Sequence, residues 1–412
     1  MRILPGVWLL VAVLSAAAMS ARQSTPALTQ DAGRTGPARS TRRVEDPVQS
    51  SSSGSLDRLI EQYRQGDAGA AMEEFARWDA PRVEAAVASW DTWLAATRGE
   101  LTAKHVRPIA ALVMLHTSAA IQQSTFAMGG RAGAAGRPRH YQAAHRLVKV
   151  LADRARDEGA AGLPAADRAG IRQFCRDWFV LAAALWMSAW ECDQAAGVAD
   201  SGLASLGDDP QLLLAAGSVA EARAVRERTL LAGACTPPWP MTSLHGTFMT
   251  SKRTLEDAQV FLQRGVALDP ALAEARLHLG RVFYWGDNAA DAARELERAI
   301  ADAPELDRGY IGYLAALFLG QLHEEAHRGP EARRAYERAH QLNPRGYVAR
   351  LALGHLLIMA GQVEEGWANV RASVGGRETR TDVDLDPWAM YRDAQRWRAA
   401  RLGREMDAWV RQ

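Results

Sequence analysis

Residues 271–304 read ALAEARLHLGRVFYWGDNAADAARELERAIADAP, and residues 311–344 read IGYLAALFLGQLHEEAHRGPEARRAYERAHQLNP. In the first stretch Gly280, Ala292 and Pro304 follow one another at steps of 12; in the second Gly320, Ala332 and Pro344 do the same. Pro270 and Pro304 are 34 residues apart, as are Gly320 and Gly354. The dipeptide Leu-Gly recurs at Leu279-Gly280, Leu319-Gly320 and Leu353-Gly354, and the endings Ala299–Pro304 and Ala339–Pro344 match. Between these marks apolar residues recur at three- and four-residue steps, the period of a helix that buries one face. Small residues fit where two antiparallel helices cross closely, and Phe283, Leu296, Tyr336 and Val370 supply bulk between hairpins. The prolines stop the second helix, because proline cannot continue a helix and restrains the residue before it. A hairpin this small cannot bury its own apolar face, so the units must stack.

The spacing and the residue types resemble the tetratricopeptide repeat family over 273–306 and 313–346. The resemblance extends from Tyr347 to Arg380, where Gly366 replaces the second-helix alanine and no closing proline appears. Ala258, Leu262, Gly265 and Pro270 outline half of a preceding unit, whose first helix is expected near Trp239–Met249. Asp307–Gly312 is an insertion expected to lengthen the first helix of the middle hairpin. The resemblance implies an all-α fold: antiparallel helix-hairpin repeats stacked into a right-handed α-solenoid, with the array over 234–375. Further upstream, Tyr63, Gly66, Ala71 and Phe75, then Trp78 and Pro81, repeat the same turn and second helix, and Ala195–Pro210 with Leu212–Ala216 is a weaker echo. Residues 56–233 are accordingly expected to form irregular helical hairpins, as a diverged part of the array or as a separate helical domain. Over 376–412 a C-terminal capping helix is expected. Asp386-Pro387-Trp388 gives it an N-cap carboxylate and a proline at the first position, and Trp397, Met406 and Trp409 would cover the open end of the array.

The chain has 412 residues, 48% apolar, with 49 basic against 48 acidic side chains. That balance excludes a disordered chain of low hydrophobicity, an acidic tail and a basic nucleic-acid coat, so no nucleic acid is expected as partner. Lys104, Lys149 and Lys252 are the only lysines; arginine carries the rest of the positive charge. Met1-Arg2, the apolar run Ile3–Ala18 and the small residues around Ala16–Ala21 have the form of a secretory signal peptide over 1–20. Export to the periplasm or beyond is the expectation, with an uncleaved inner-membrane anchor as the alternative. No later segment has the length and apolarity of a membrane span. Residues 21–55, with Pro26, Pro37, Pro47 and the Ser50–Ser53 run, read as a disordered linker. Cys175 falls in an apolar helical run as a buried thiol, while Cys192 and Cys235 flank loops and could pair in an oxidising compartment.

Among the chemistry-bearing motifs, His323-Glu324-Glu325-Ala326-His327 matches the H-E-x-x-H helix of zinc proteases. It overlays the end of a first helix and the turn of the middle repeat, Arg328-Gly329-Pro330 follows at once, and no third ligand stands at the expected spacing. The Gly129–Gly136 stretch lacks the lysine-hydroxyl ending of a phosphate loop and reads as a loop between helices. His140 and His145 fall on different helical faces, and His116 reads as a core histidine. No catalytic residue, metal or cofactor is expected. What the resemblance implies instead is a groove lined by first helices that holds a peptide or protein partner. Its positions carry over to Leu277, Arg281, Tyr284, Trp285, Leu317, Gln321, Glu325, Leu351, His355 and Ile358. The expected function is that of a non-catalytic scaffold or adaptor in the cell envelope. The alternatives are a metal-dependent hydrolase whose repeats recruit substrate and a self-associating envelope component.

Overall fold

The structure, a computed structural model, describes residues 54–96, 102–127, 139–156, 163–188, 191–228, 244–374, 386–392 and 399–412. The signal peptide, almost all of the linker, the Gly129–Gly136 stretch and Trp397 lie outside the described residues. Among the described residues the chain is all-α, and no helix is long and apolar enough to cross a membrane. It forms two compact units: residues up to Cys175 together with Gly403–Gln412, and Arg176–Leu402. The change of unit thus falls inside one long helix, Ala165–Ser188, rather than near residue 233.

In the first unit, α1 (Gly54–Arg64) and α2 (Ala68–Ala76) make the hairpin expected from Tyr63, Gly66, Ala71 and Phe75. Gly66 sits in its turn at φ +104°, a backbone that favours glycine. Tyr63, Ala71 and Phe75 are buried at its core. Next come α3 (Ala80–Ala96), α4 (Ala103–Ala127) and α5 (Arg139–Arg156), then the first part of α6 (Ala165–Ser188). The chain's last turns also belong here. Trp409 stacks on Phe174 with ring centroids 5.1 Å apart and lies beneath the Arg107 guanidinium at 3.7 Å. Gly170 leaves room for that indole, since a Cβ there would stand 2.7 Å from Trp409 Nε1. Met406 and Trp409 therefore serve the core of the first unit, a correction to their expected role as cover for the repeat array. Cys175 is free and buried.

The second unit begins with the rest of α6, then α7 (Cys192–Leu206), α8 (Pro210–Arg228) and α9 (Leu244–Leu268). Three regular hairpins follow: α10 (Ala273–Trp285) with α11 (Ala289–Asp302), α12 (Ile311–Glu325) with α13 (Gly329–Leu342), and α14 (Tyr347–Met359) with α15 (Val363–Val374). α11 and α13 each pack on their own first helix and on the next first helix, and α15 packs on α14, which is the stacked-hairpin architecture the repeat implies. α16 (Pro387–Arg392) follows in this unit, and α17 (Ala399–Arg411) closes the chain, its residues from Gly403 onward belonging to the first unit. Cys192 is disulfide-bonded; Cys235, the partner the sequence suggests, lies outside the described residues.

Close crossing explains the repeated small residues. A Cβ on Gly280 would stand 2.7 Å from Leu296 Cγ and 3.3 Å from the Ala292 carbonyl oxygen. In the last hairpin the crossing is backbone on backbone: a Cβ on Gly354 would be 2.8 Å from the Gly366 carbonyl oxygen. Gly366 thus replaces alanine because the two helices approach closely there. The turns are equally regular. Asp287 (φ 60°), His327 (φ 56°) and Gly361 (φ 81°) adopt the left-handed conformation, each seven residues beyond its crossing glycine.

Two expectations are corrected by this geometry. Leu244–Met249 is the start of a second helix, not a first helix; the first helix of that hairpin is α8. A Cβ on Gly217 of α8 would stand 2.5 Å from Leu262 Cγ and 3.4 Å from the Ala258 carbonyl oxygen, reproducing the Gly280–Leu296–Ala292 contact. Spacing along the chain does not mark α8 as the first helix of this unit, because 41 residues separate Gly217 from Ala258 where 12 separate Gly280 from Ala292. Of the insertion Asp307–Gly312, Asp307 ends a 3₁₀ turn that begins at Glu305, residues 308–310 form a further turn, and Ile311 and Gly312 lengthen α12 by two residues, less than a full helical turn.

Candidate functional site

The first helices α8, α10, α12 and α14 stand side by side, and their shared face is where the sequence places a groove. The ten groove positions divide into three groups. Leu277 and Leu317 are core residues, fully or nearly fully buried, so neither can offer a free surface. Ile358 turns into its own hairpin against Gly366, where a Cβ would come within 2.5 Å of Ile358 Cγ1. Of the remaining seven, Arg281, Tyr284, Trp285, Gln321 and Glu325 lie together with Arg281 buried among them, and Leu351 and His355 are exposed on the next hairpin.

Arg281 is held by aromatic faces. Its guanidinium lies 4.0 Å from the Phe318 ring centroid, 4.9 Å from Tyr284 and 5.1 Å from Trp285, and it donates to Gln321 Oε1 at 3.4 Å. Gln321 in turn donates to Tyr284 Oη at 3.0 Å and to Glu325 at 3.1 Å, while the Tyr284 hydroxyl donates to Glu325. Burial and that carboxylate push the Tyr284 phenol well above its ordinary range, so it stays a neutral donor. On the next hairpin His355 Nδ1 meets Glu324 at 3.0 Å, and Tyr336 donates to the same carboxylate at 2.7 Å. The result is a polar, aromatic stripe across three hairpins, ending at the exposed Leu351 and His355.

This stripe also settles how the H-E-x-x-H segment is used. Glu324 and Glu325 are engaged by Tyr336 and Tyr284, and His327 is the left-handed turn residue of its hairpin. His323 lies within α12 and His327 beyond it, so the two imidazoles do not share one helical face as a zinc helix requires.

Next to the stripe the same face is occupied by the chain itself. Asp386, which is 4% exposed, brings its carboxylate to the N-terminus of α14. It accepts from Val348 N–H at 3.1 Å, from the Tyr313 hydroxyl at 3.1 Å and from Trp388 N–H at 2.8 Å. Tyr313 Oη accepts from Ala349 N–H at 3.3 Å, so it relays a second helix-terminal donor toward the carboxylate. A carboxylate at unsatisfied amides of a helix N-terminus is favoured by hydrogen bonding and by the helix dipole. One turn later Tyr391 donates to the buried Glu221, whose other oxygen is 2.5 Å from His278 Nδ1. The Tyr391 ring stacks on His278 (5.5 Å) and meets Phe318 edge-on (5.1 Å); Trp388 meets Phe318 edge-on at 5.6 Å. Burial, then the charge of Glu221, raises the Tyr391 phenol, and burial, then Asp386, does the same for Tyr313; both remain neutral donors.

Glu221, His278, Tyr313, Phe318, Asp386, Trp388 and Tyr391 were not among the sequence-derived site residues. The usable signal was Asp386-Pro387-Trp388 itself: an acid and two aromatics, with Tyr391, beyond the last repeat.

No protein-family model and no curated protein matches the chain. Among solved structures it is similar to MamA, at 22% identity over 45% of this chain and 89% of that one, with a TM-score of 0.33. It is also similar to a human IFIT1 dimer with m7Gppp-AAAA, at 13% identity over 77% of this chain and 72% of that one, with a TM-score of 0.35. Overlaps this loose decide nothing about this chain, and the fold assignment rests on the hairpin geometry above.

Proposed function

We propose that this protein is a non-catalytic scaffold of the cell envelope, exported by its N-terminal signal, that binds a protein or peptide on the face of its first helices. The observation that supports this reading is the stripe Tyr284–Gln321–Glu325–Glu324–His355. It runs across three hairpins, ends at exposed Leu351 and His355, and is fixed by hydrogen bonds between neighbouring units. Aromatic and polar groups pre-set in this way are what interface anchors need. The carboxylates of the zinc-like segment are engaged in that stripe and its two histidines do not share a helical face, which speaks against a zinc site at that segment. The test is crosslinking and affinity capture from the native envelope with the full-length chain. A partner captured by wild type and lost with Leu351→Ala plus His355→Ala supports the reading; undiminished capture by the variant refutes it.

The self-associating alternative keeps one observation in its favour. On the last hairpin Leu351 (42% exposed), Met359 (73%), Val363 (47%) and Trp367 (48%) leave a large apolar area in solvent. Mass by light scattering separates the two readings.

A further inference from the structure

Residues Asp386–Tyr391 touch four successive first helices with a single turn of chain. Asp386 reaches α14 and Tyr313 of α12, Trp388 and Tyr391 reach Phe318 of α12, and Tyr391 reaches His278 of α10 and Glu221 of α8. A six-residue helix has no stability of its own, so its place comes from these side-chain contacts. Trp388 and Tyr391 are three residues apart and share one face of the turn, with Asp386 as its N-cap. The receiving groups include a buried carboxylate, Glu221, and donors at a helix terminus. An apolar cover would leave one oxygen of Glu221 and the Val348 N–H without the partners this segment gives them, at a cost; the segment present satisfies each of them. The face is therefore chemically selective, and selective for the sequence pattern acid–x–aromatic–x–x–tyrosine.

We propose that this face is a recognition site for short peptides of that chemistry, an N-capping aspartate followed by tryptophan and tyrosine on one helical turn, and that Asp386–Tyr391 is its internal competitor. The occupant in the bound state is a segment of a partner protein. The inference rests on the scaffold reading and gives the partner its chemistry. Eleven residues lie between Val374 and Asp386. The internal segment belongs to the same chain and competes intramolecularly, so an external peptide gains access as that segment is weakened.

The test uses a fluorescein-labelled synthetic peptide, DLDPWAMYRDA, matching residues 384–394, and fluorescence anisotropy against three full-length chains. These are wild type, Tyr391→Phe, which keeps the ring and loses the bond to Glu221, and Trp388→Ala with Tyr391→Ala. The peptide is expected to bind the double variant at least about tenfold more tightly than wild type, with Tyr391→Phe in between. The same peptide carrying Asp386→Ala is expected to bind at least about tenfold more weakly, since it loses the helix-terminal contacts. Equal affinity for all three chains overturns the proposal, as does absence of binding to both variants when their circular dichroism matches wild type. Concentration-dependent dimers of wild type that Tyr391→Phe abolishes also overturn it, because they assign the face to a second copy. Peptide binding without capture of any envelope protein would refute the scaffold reading alone. Capture that proceeds unchanged while the peptide fails to bind would refute this inference alone.

Discussion

Lowering the pH from about 7.5 to about 5 should destabilise the first unit through one buried pair of imidazoles, with a cost fixed by linkage. His116 on α4 and His140 on α5 meet Nδ1 to Nδ1 at 3.0 Å, and the Phe75 ring packs edge-on against both. Burial first, then His140, then the positive charge of Arg146, push His116 down to about 3. Burial lowers His140 as well. The folded pair is neutral, whereas an unfolded histidine takes up a proton near about pH 6.5. Stability is therefore complete above that value and is lost as the pH falls from there toward about 3. Each pH unit in that window costs about 1.4 kcal/mol, so the drop to about pH 5 costs about 2 kcal/mol from His116, with His140 adding in the same direction. The assay is hydrogen exchange of α4 and α5 amides, read by mass spectrometry and corrected for intrinsic rates, on wild type and on His116→Leu with His140→Leu. Replacing both partners avoids leaving one buried nitrogen unpaired. Wild type should lose about 2 kcal/mol more opening free energy than the variant over that pH range. Equal pH dependence of the two chains, or a wild type that gains stability in acid, would refute the reasoning.

The second unit offers sharper tests of packing. Gly354→Ala places a Cβ 2.8 Å from the Gly366 carbonyl oxygen and should cost about 1–3 kcal/mol in urea unfolding. Gly329→Ala meets nothing within 4 Å and should stay within about 0.5 kcal/mol of wild type. Glu295→Ala strips the buried Arg276 of its 2.8 Å partner and should cost about 3–5 kcal/mol. Arg338→Ala breaks a half-exposed 3.2 Å pair with Glu297 and should cost less than about 1 kcal/mol by the same measurement.

How much of this was legible depends on the range of the contact. Gly280, Ala292 and Pro304 could be read because a helix crossing and a helix stop are written within one hairpin, where spacing along the chain equals spacing in space. The turn position of His327 followed from the same register, and it is what removes the zinc-like motif. The α8–α9 hairpin keeps the same crossing at Gly217, but the long excursion between its helices destroyed the spacing that betrays the others. The His116–His140 pair and the Asp386–Val348 contact join residues on separate helices, and no local period marks such meetings. For the groove, the register identified Arg281, Tyr284, Gln321 and Glu325, yet it could not tell that Leu277 and Leu317 are consumed by the core. A first helix must share its positions between its own second helix, the preceding second helix and the open face.

The arginine-dominated charge divides in the same way. Arg294, Arg333 and Arg338 lie on second helices and pair with Asp291, Glu337, Glu365 and Glu297 in solvent, so they supply solubility and little stability. Arg276 and Arg281 are buried, and lysine could not replace either. Arg276 spreads its planar group over the Pro270 carbonyl oxygen, Glu295 and Asp302, three acceptors in different directions. Arg281 stacks its face on Phe318 while its edge donates to Gln321, a double use open to a guanidinium and closed to an ammonium point charge. Phe318 is also the ring that receives Trp388 and Tyr391, and Gln321 is the centre of the exposed stripe. Arg281 thus touches the covered half of the face on one side and the open half on the other. Removing it would loosen both at once, so a defect of Arg281→Ala cannot by itself be ascribed to partner contact, whereas a defect at Leu351 or His355 can.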